Sequence, residues 1–168
     1  NRLRMNVNAH KQLIEALRAV YEGIEDVHVR VEGGTAHVFL IEEKGAIPAT
    51  RLSDGTLRYL AILALLCDPN PPPLVVLEEP ELGLHPDMLP TLARLLADAS
   101  TRTQLVITTH APSLVDAFSD NPSAILVCER DGDGTHIERL DAEHLAPWLE
   151  KYRLGELWTR GQIGGTRW

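Results

Sequence analysis

Apolar positions along the chain follow three rhythms. Leu13, Ile14, Leu17, Val20 and Tyr21 recur at helical spacing, which predicts a helix over about residues 10–21, with Asn8 as N-cap and Gly23 as its stop. Val27, Val29 and Val31 alternate with polar residues, as do His37, Phe39 and Ile41. Gly33-Gly34 lies between these two runs, and the pattern predicts a β-hairpin. The third rhythm is the short unbroken apolar run, at Leu74 to Leu77, Leu105 to Thr109 and Ile125 to Cys128. Such runs suit strands buried on both faces of a parallel sheet.

Helical segments separate these strands. Leu52 to Thr56 is a turn that leads into an apolar helix over Leu57 to Leu66, which the proline-rich Asp68 to Pro73 breaks. Pro86 to Ala99 is amphipathic, with Pro86 in its first turn, and Ala111 to Ala117 is a short helix. Asp131 to Gly134 turns into a return strand over His136 to Leu140. A last helix covers Ala142 to Tyr152, and the tail from Leu154 to Trp168 is rich in Gly and Trp. From residue 74 onward, strand alternates with helix. The fold class expected is therefore α/β, a parallel sheet with right-handed crossovers flanked by helices, preceded by an N-terminal helix and β-hairpin.

Composition narrows the class. The 168 residues are 44% hydrophobic and 24% charged, enough for one domain or one large piece of one. The net charge of −8 gives this stretch no overall attraction for nucleic acid or an anionic membrane. No apolar run nears the roughly 20 residues that span a bilayer. Cys67 and Cys128 lack metal-ligand spacing and read as reduced, buried thiols of a cytoplasmic protein. The chain begins at Asn1 rather than Met, which suggests a fragment or a processed product.

Three short stretches carry candidate chemistry. In Leu52-Ser53-Asp54-Gly55-Thr56, a helix mouth offers backbone N–H groups, the positive end of the dipole and the Ser53 hydroxyl. That equipment suits an anionic phosphate, and it equally suits an ordinary helix cap. In LVVLEEPELGLHP, residues 74–86, an apolar strand runs into Glu78 and Glu79 and is stopped by Pro80. Open α/β sheets bind ligands at such strand ends. One acid can hold Mg²⁺ and the other can polarise an attacking water, or both can belong to a solvated acidic loop. Continued strand geometry would point the two to opposite sides. In Leu105 to His110, a strand delivers one His at its end, able to meet a phosphate oxygen or to bridge loop groups. His28, His37, His136 and His144 lack ligand partners at useful spacing, and Trp148, Trp158 and Trp168 read as packing anchors.

Taken together, the order and spacing of LSDGT, LVVLEE, LGLH and TTH over residues 52–110 resemble the C-terminal half of an ABC-class ATPase head, and TTH is followed by the x-P of TTH-x-P. The wording is most similar to the RecF-like and SMC-like branch, and the resemblance runs over about residues 25–168, including the LGELW…GG-x-x-W tail. It implies a P-loop NTPase-like fold. Residues 1–168 would be the C-terminal part of one ABC-type ATPase domain: a lead-in over 1–50, a motif core over 51–140, and a C-terminal helix and tail over 141–168. LSDGT would be the signature motif, with Asp54 and Thr56 departing from LSGGQ. Ser53 and Gly55 would contact the γ-phosphate of ATP held by a second copy of the chain. Glu78 would stand at the Mg²⁺, where an Asp is more usual. Glu79 would be the catalytic base, His110 the γ-phosphate sensor, and His85 a D-loop residue signalling across the ATP-sandwiched homodimer.

The phosphate loop G-x-x-x-x-G-K-[ST] does not occur in the 168 residues. The family carries it in an N-terminal half, so the expectation is that this piece alone binds ATP weakly and hydrolyses it negligibly. Loss of that half would also uncover a sheet edge beside the Glu78 strand and invite pairing of two copies. The implied function is ATP hydrolysis by a dimerising head, in DNA repair or defence. An ATP-gated clamp, in which binding matters more than turnover, is the alternative. Nucleic acid would be reached through other regions of a longer protein, not through this acidic piece. A nuclease-linked defence ATPase would need a further acidic cluster, and transporter wording differs at both LSDGT and EEPELGLHP.

Overall fold

In the computed structural model, residues 6–165 are described. They fall into two compact units that divide between Thr108 and Thr109. Trp168 lies outside the described residues.

The first unit begins with helix α1 (Val7–Arg18). Its N-cap is Asn6, whose carboxamide oxygen accepts from Ala9 N at 3.0 Å. The expected cap, Asn8, lies inside the helix. Asn6 takes the role because it reaches the free N–H three residues on, which lets α1 bury Ala9 together with Leu13, Ile14, Ala16 and Leu17. Strands β1 (Ile24–Glu32) and β2 (Thr35–Glu42) form the expected hairpin. Gly33 and Gly34 turn it with φ of +57° and +81°, a pair of left-handed residues that matches the twist of the strands. The register sets Val27 opposite Leu40 and His28 opposite Phe39. Leu40 is therefore the buried residue of β2, while Phe39 and Ile41, on the other face, are half-buried. A third strand, β3 (Gly45–Pro48), pairs with β2 and was not legible as an apolar rhythm, being only four residues long.

Helix α2 (Asp54–Leu66) follows a 3-10 turn at Ala49–Arg51. It starts three residues earlier than the apolar run predicts, because Ser53 caps it: Ser53 Oγ accepts from Thr56 N at 3.2 Å. Tyr59 on α2 is fully buried and donates to the Ala16 carbonyl of α1. Strands β4 (Leu74–Glu78) and β5 (Gln104–Thr108) are parallel, in register from Leu74 opposite Gln104 to Glu78 opposite Thr108. Helix α3 (Leu89–Ala99) connects them, preceded by a 3-10 turn at Pro86–Met88. Gln12 of α1 and Arg102 after α3 both donate to Asp98 Oδ2 at 2.8 Å, and Arg102 also donates to the Leu66 carbonyl at 2.8 Å. One carboxylate thus ties α1 to α3, and its arginine partner ties both to the end of α2.

β4 is not buried on both faces. Val75 is buried, yet Leu74 is 49% and Val76 62% exposed, and Val106 on β5 is 46% exposed. Alternation along a strand puts Leu74 and Val76 on one face. That face, together with Val106, is apolar and open to solvent in the chain as it stands.

The second unit contains α4 (Pro112–Asp116), β6 (Leu126–Arg130), β7 (Thr135–Arg139), α5 (Ala142–Leu149) and α6 (Leu154–Thr159). β6 pairs antiparallel with β7, so the parallel pairing among the described residues is that of β4 with β5. Val115, Leu145, Leu154 and Leu157 form the core, with Trp158 and Ile163 packed against it. The Gly- and Trp-rich tail begins as a helix, α6. Gly155 lets α6 approach α4: a Cβ there would collide with the Pro112 carbonyl, and the Gly155 N–H donates to Asp116 Oδ1 at 2.6 Å. Trp158 Nε1 donates to the Gly165 carbonyl and anchors the tail, whereas Trp148 is 46% exposed. Cys67 is buried, and burial raises its thiol to about 11. Cys128 is exposed, contrary to expectation, because the face of β6 that carries it is uncovered. No helix among the described residues is long and apolar enough to cross a membrane.

Candidate functional site

The first unit brings the LSDGT loop and the segment after Glu79 together. Ser53, Gly55 and Thr56 line a cavity of about 770 Å³ with Gly83, Leu84, His85 and the residues just after α1, including Tyr21. Hydroxyl groups run along its wall. Tyr21 Oη lies 2.8 Å from Thr56 Oγ1, which lies 2.8 Å from Ser53 Oγ. Ser53 Oγ already accepts from Thr56 N. When Tyr21 donates to Thr56 and Thr56 to Ser53, the Ser53 proton is left to point outward to an anion. Asp54 occupies the first turn of α2 as its acidic residue, where it satisfies the helix dipole that a phosphate would also use.

Gly55 also has a packing reason to be glycine. A Cβ on Gly55 would run into the Gly83 carbonyl oxygen, far inside the 3.0 Å that real Cβ atoms essentially never show. The space is taken by the polypeptide itself: the first turn of α2 packs backbone to backbone against the segment at Gly83. His85 has a local task too. It caps the 3-10 turn, its Nδ1 accepting from Asp87 N at 3.3 Å.

Glu78 is the last residue of β4 and is exposed at the strand's C-terminal end. Its carboxylate is a hard oxygen donor of the kind Mg²⁺ takes. Mg²⁺ typically binds one or two carboxylates with waters and substrate phosphates, so no larger protein cluster is required, and none of three acids, His or Cys occurs among the described residues. Glu79 leaves the strand. Its N–H still donates to the Thr108 carbonyl at 3.0 Å, but its φ is +42°. Among the described residues it is the non-glycine with a positive φ. The expectation that strand alternation sets Glu78 and Glu79 on opposite sides therefore ends at Glu78. A left-handed glutamate costs about 1–3 kcal/mol and is held only where its surroundings impose it. Leu82 N donates to the Glu79 carbonyl at 3.0 Å and closes the turn through Pro80 and Glu81. Arg58 of α2 donates to the same carbonyl at 2.8 Å and to that of Glu78 at 3.2 Å. Arg58 is not among the residues picked out from the sequence, although its place on the helix that LSDGT opens was a signal.

His110 belongs to the second unit. It is exposed and follows β5 by two residues, just before Ala111, whose N–H donates to Thr109 Oγ1 at 3.0 Å.

Comparison with known proteins gives one family and one fold. The family model described as "AAA domain, putative AbiEii toxin, Type IV TA system" matches residues 4–116. No curated protein matches the chain. Among solved structures, one reported under "ATP-driven dimerization and DNA stimulated activation of SMC ATPases" is similar with a TM-score of 0.62 at 14% identity, over 89% of this chain and 93% of that one. The Pyrococcus furiosus Smc head domain, bound to the C-terminal domain of ScpA, is similar with a TM-score of 0.65 at 14% identity, over 89% of this chain and 38% of that one. The SMC head domain from Thermotoga maritima is similar with a TM-score of 0.54 at 15% identity, over 83% of this chain and 49% of that one. The chain thus spans less than half of the latter two. At these identities the likeness is one of fold, that of an SMC ATPase head.

Proposed function

Given that the chain belongs to the AAA-domain family whose model covers residues 4–116, we propose that it is the ATP-hydrolysing part of an SMC-like, ABC-type head that works as a nucleotide-sandwiched dimer. Its place is the DNA-maintenance or defence machinery of RecF-like and SMC-like proteins. The observation that carries this reading is the left-handed Glu79 at the end of β4, strapped to the helix that begins with the LSDGT loop. Strain retained at one acid marks a group whose position matters more than its stability.

In this reading ATP brings its charge and Mg²⁺ supplies Lewis acidity to its phosphates. Glu78 would hold the metal, through water or directly. Glu79 accepts a proton from the attacking water. Ser53 donates its hydroxyl proton, and the N–H groups at the mouth of α2 donate beside it, to the γ-phosphate of ATP held by the other copy. His110, in the second unit, is the γ-phosphate sensor that the resemblance implies. Phosphoryl transfer is chiefly positioning and charge stabilisation, so a site divided between two chains makes ATP the bond between them. The phosphate loop comes from outside these 168 residues, and the isolated piece turns over ATP negligibly. The test is phosphate release by the complete natural protein and by its Glu79→Gln variant. Loss of turnover in the variant supports the reading, and clear Glu79-dependent turnover by the isolated piece overturns the claim that it needs a partner half.

The ATP-gated clamp is the second reading, supported by the same features with hydrolysis serving only for release. It wins where Glu79→Gln accumulates ATP-bound dimers and keeps biological activity. The isolated piece would also self-pair along β4, whose pairing among the described residues is with β5 alone. Sedimentation showing only monomer at high concentration counts against that pairing.

A further inference from the structure

We propose that Arg58 is a positioning residue for Glu79, its guanidinium holding the Glu79 backbone in the left-handed conformation and thereby fixing where the Glu79 carboxylate stands. The inference rests on the reading of Glu79 as the group that polarises water.

The geometry is specific. A single nitrogen, Arg58 Nη2, donates to the carbonyls of both Glu78 and Glu79, at 3.2 and 2.8 Å. Successive carbonyls of an extended strand point opposite ways, so no one donor reaches both. They converge here because the chain turns to a φ of +42° at Glu79. The two hydrogen bonds therefore exist only in the bent conformation and are lost when it relaxes. Relaxation has a direction as well. Pro80 follows, and the residue before a proline is pushed towards extended geometry. The N–H of Glu79 on Thr108 would survive that swing, since it lies on the strand side of the bend. The carbonyl side, where Arg58 and Leu82 N both donate, is the side that would move.

The origin of Arg58 adds a consequence. It lies on α2 five residues after Ser53, the cap of the same helix. A helix is rigid over that length, so the LSDGT mouth and the Glu79 carbonyl are set in one frame. An arginine suits the task, because its charge is permanent and its donors lie in a fixed planar fork, whereas a lysine offers one mobile point charge.

The test uses the complete natural protein with Arg58→Met, Arg58→Lys and, in parallel, Glu79→Gln. Arg58→Met keeps the aliphatic stem and removes the donors. Its kcat is expected to fall about 10- to 100-fold, the cost of a misplaced group, with KM for ATP held within about twofold. Arg58→Lys is expected to recover part of the loss. Amide exchange at Leu82, whose N–H bonds the Glu79 carbonyl, is expected to quicken in Arg58→Met while exchange along α2 stays unchanged. Unaltered kcat overturns the proposal, and so does a parallel loss of kcat, KM and α2 protection, which marks a general structural role. Should Arg58→Met fail to fold, Arg58→Lys and Arg58→Gln carry the same comparison. Full turnover by Glu79→Gln sinks the reading of Glu79 separately. Exchange at Leu82 then decides the positional claim by itself, faster exchange upholding it and unchanged exchange overturning it.

Discussion

The carbonyl of Gly83 occupies the space where a side chain on Gly55 would begin. The first turn of α2 and the segment at Gly83 are thereby locked backbone to backbone, and the lock predicts a sharp response to one methyl group. Gly55→Ala should lower stability by about 1–3 kcal/mol, the range of overpacking in a tight site. Backbone shifts in an NMR spectrum should appear at Gly83 to His85 as well as at residue 55. Wild-type shifts at Gly83 would refute the lock.

Glu79 predicts the opposite sign. Replacing a left-handed non-glycine by glycine relieves strain, so Glu79→Gly should leave stability unchanged or raise it by up to about 1 kcal/mol. Turnover by the complete protein should vanish in the same variant. Thermal denaturation and phosphate release on one preparation check both halves, and a destabilised Glu79→Gly removes the case for strain.

The hydroxyl series from Tyr21 through Thr56 to Ser53 is testable by deleting its outer member. Tyr21→Phe should cost about 0.5–1.5 kcal/mol, the net worth of one hydrogen bond. If the series orients the Ser53 proton, the variant of the complete protein should also need more ATP to dimerise. Unchanged ATP dependence would confine Tyr21 to a packing role.

Acid should loosen the first unit through Asp98. The Arg102 hydrogen bond, the Gln12 hydrogen bond and the Arg102 charge hold this carboxyl below its usual 3.8, against a smaller opposing effect of burial. Asp26 is also lowered. Burial pulls it up, and the Val27 N–H with His10 and His28 outweigh that pull. A depressed carboxylate adds stability that is present above its unfolded value and is lost as pH falls through the folded one. Melting temperature should therefore hold steady above about pH 5 and fall below about pH 4, more gently in Asp98→Asn. Equal slopes for both proteins would exclude Asp98 as a source.

In the second unit, Gly155→Ala should separate α6 from α4, since its methyl would meet the Pro112 carbonyl. Amide protection at Leu154 and Leu157 should drop while that of α1 and α2 is kept. Loss confined to neither unit would contradict the close approach.

The residues that were legible in the sequence are those whose role is local. Gly33-Gly34 had to turn a hairpin, because no other pair accepts two left-handed residues so readily, and the apolar spacing of α1 had to be helical. Asn6 displaced Asn8 because a cap is chosen by which side chain reaches a free N–H, and two asparagines two residues apart look alike in sequence. The strand β3 is too short to show a period, and α6 hides behind the glycines around it. The acids Glu78 and Glu79 announced themselves by ending an apolar run. The bend at Glu79 did not, since glutamate gives no hint of a positive φ, and neither did Arg58, whose partners are carbonyls that every residue possesses. Exposure of Leu74 and Val76 was hidden for another reason: a run of apolar residues tells how the strand prefers to be covered, not what covers it.

The open apolar face of β4 and β5 also governs how this chain behaves as a colloid. The net charge of −8 makes copies repel one another. That repulsion reaches about 30 Å in 0.01 M salt and only about 3 Å at 1 M. The attraction between faces bearing Leu74, Val76 and Val106 is not screened in this way, and strongly excluded salts increase it. Folded copies should thus stay dispersed in dilute buffer and cluster in concentrated salt, precipitating in their native conformation by way of a sheet.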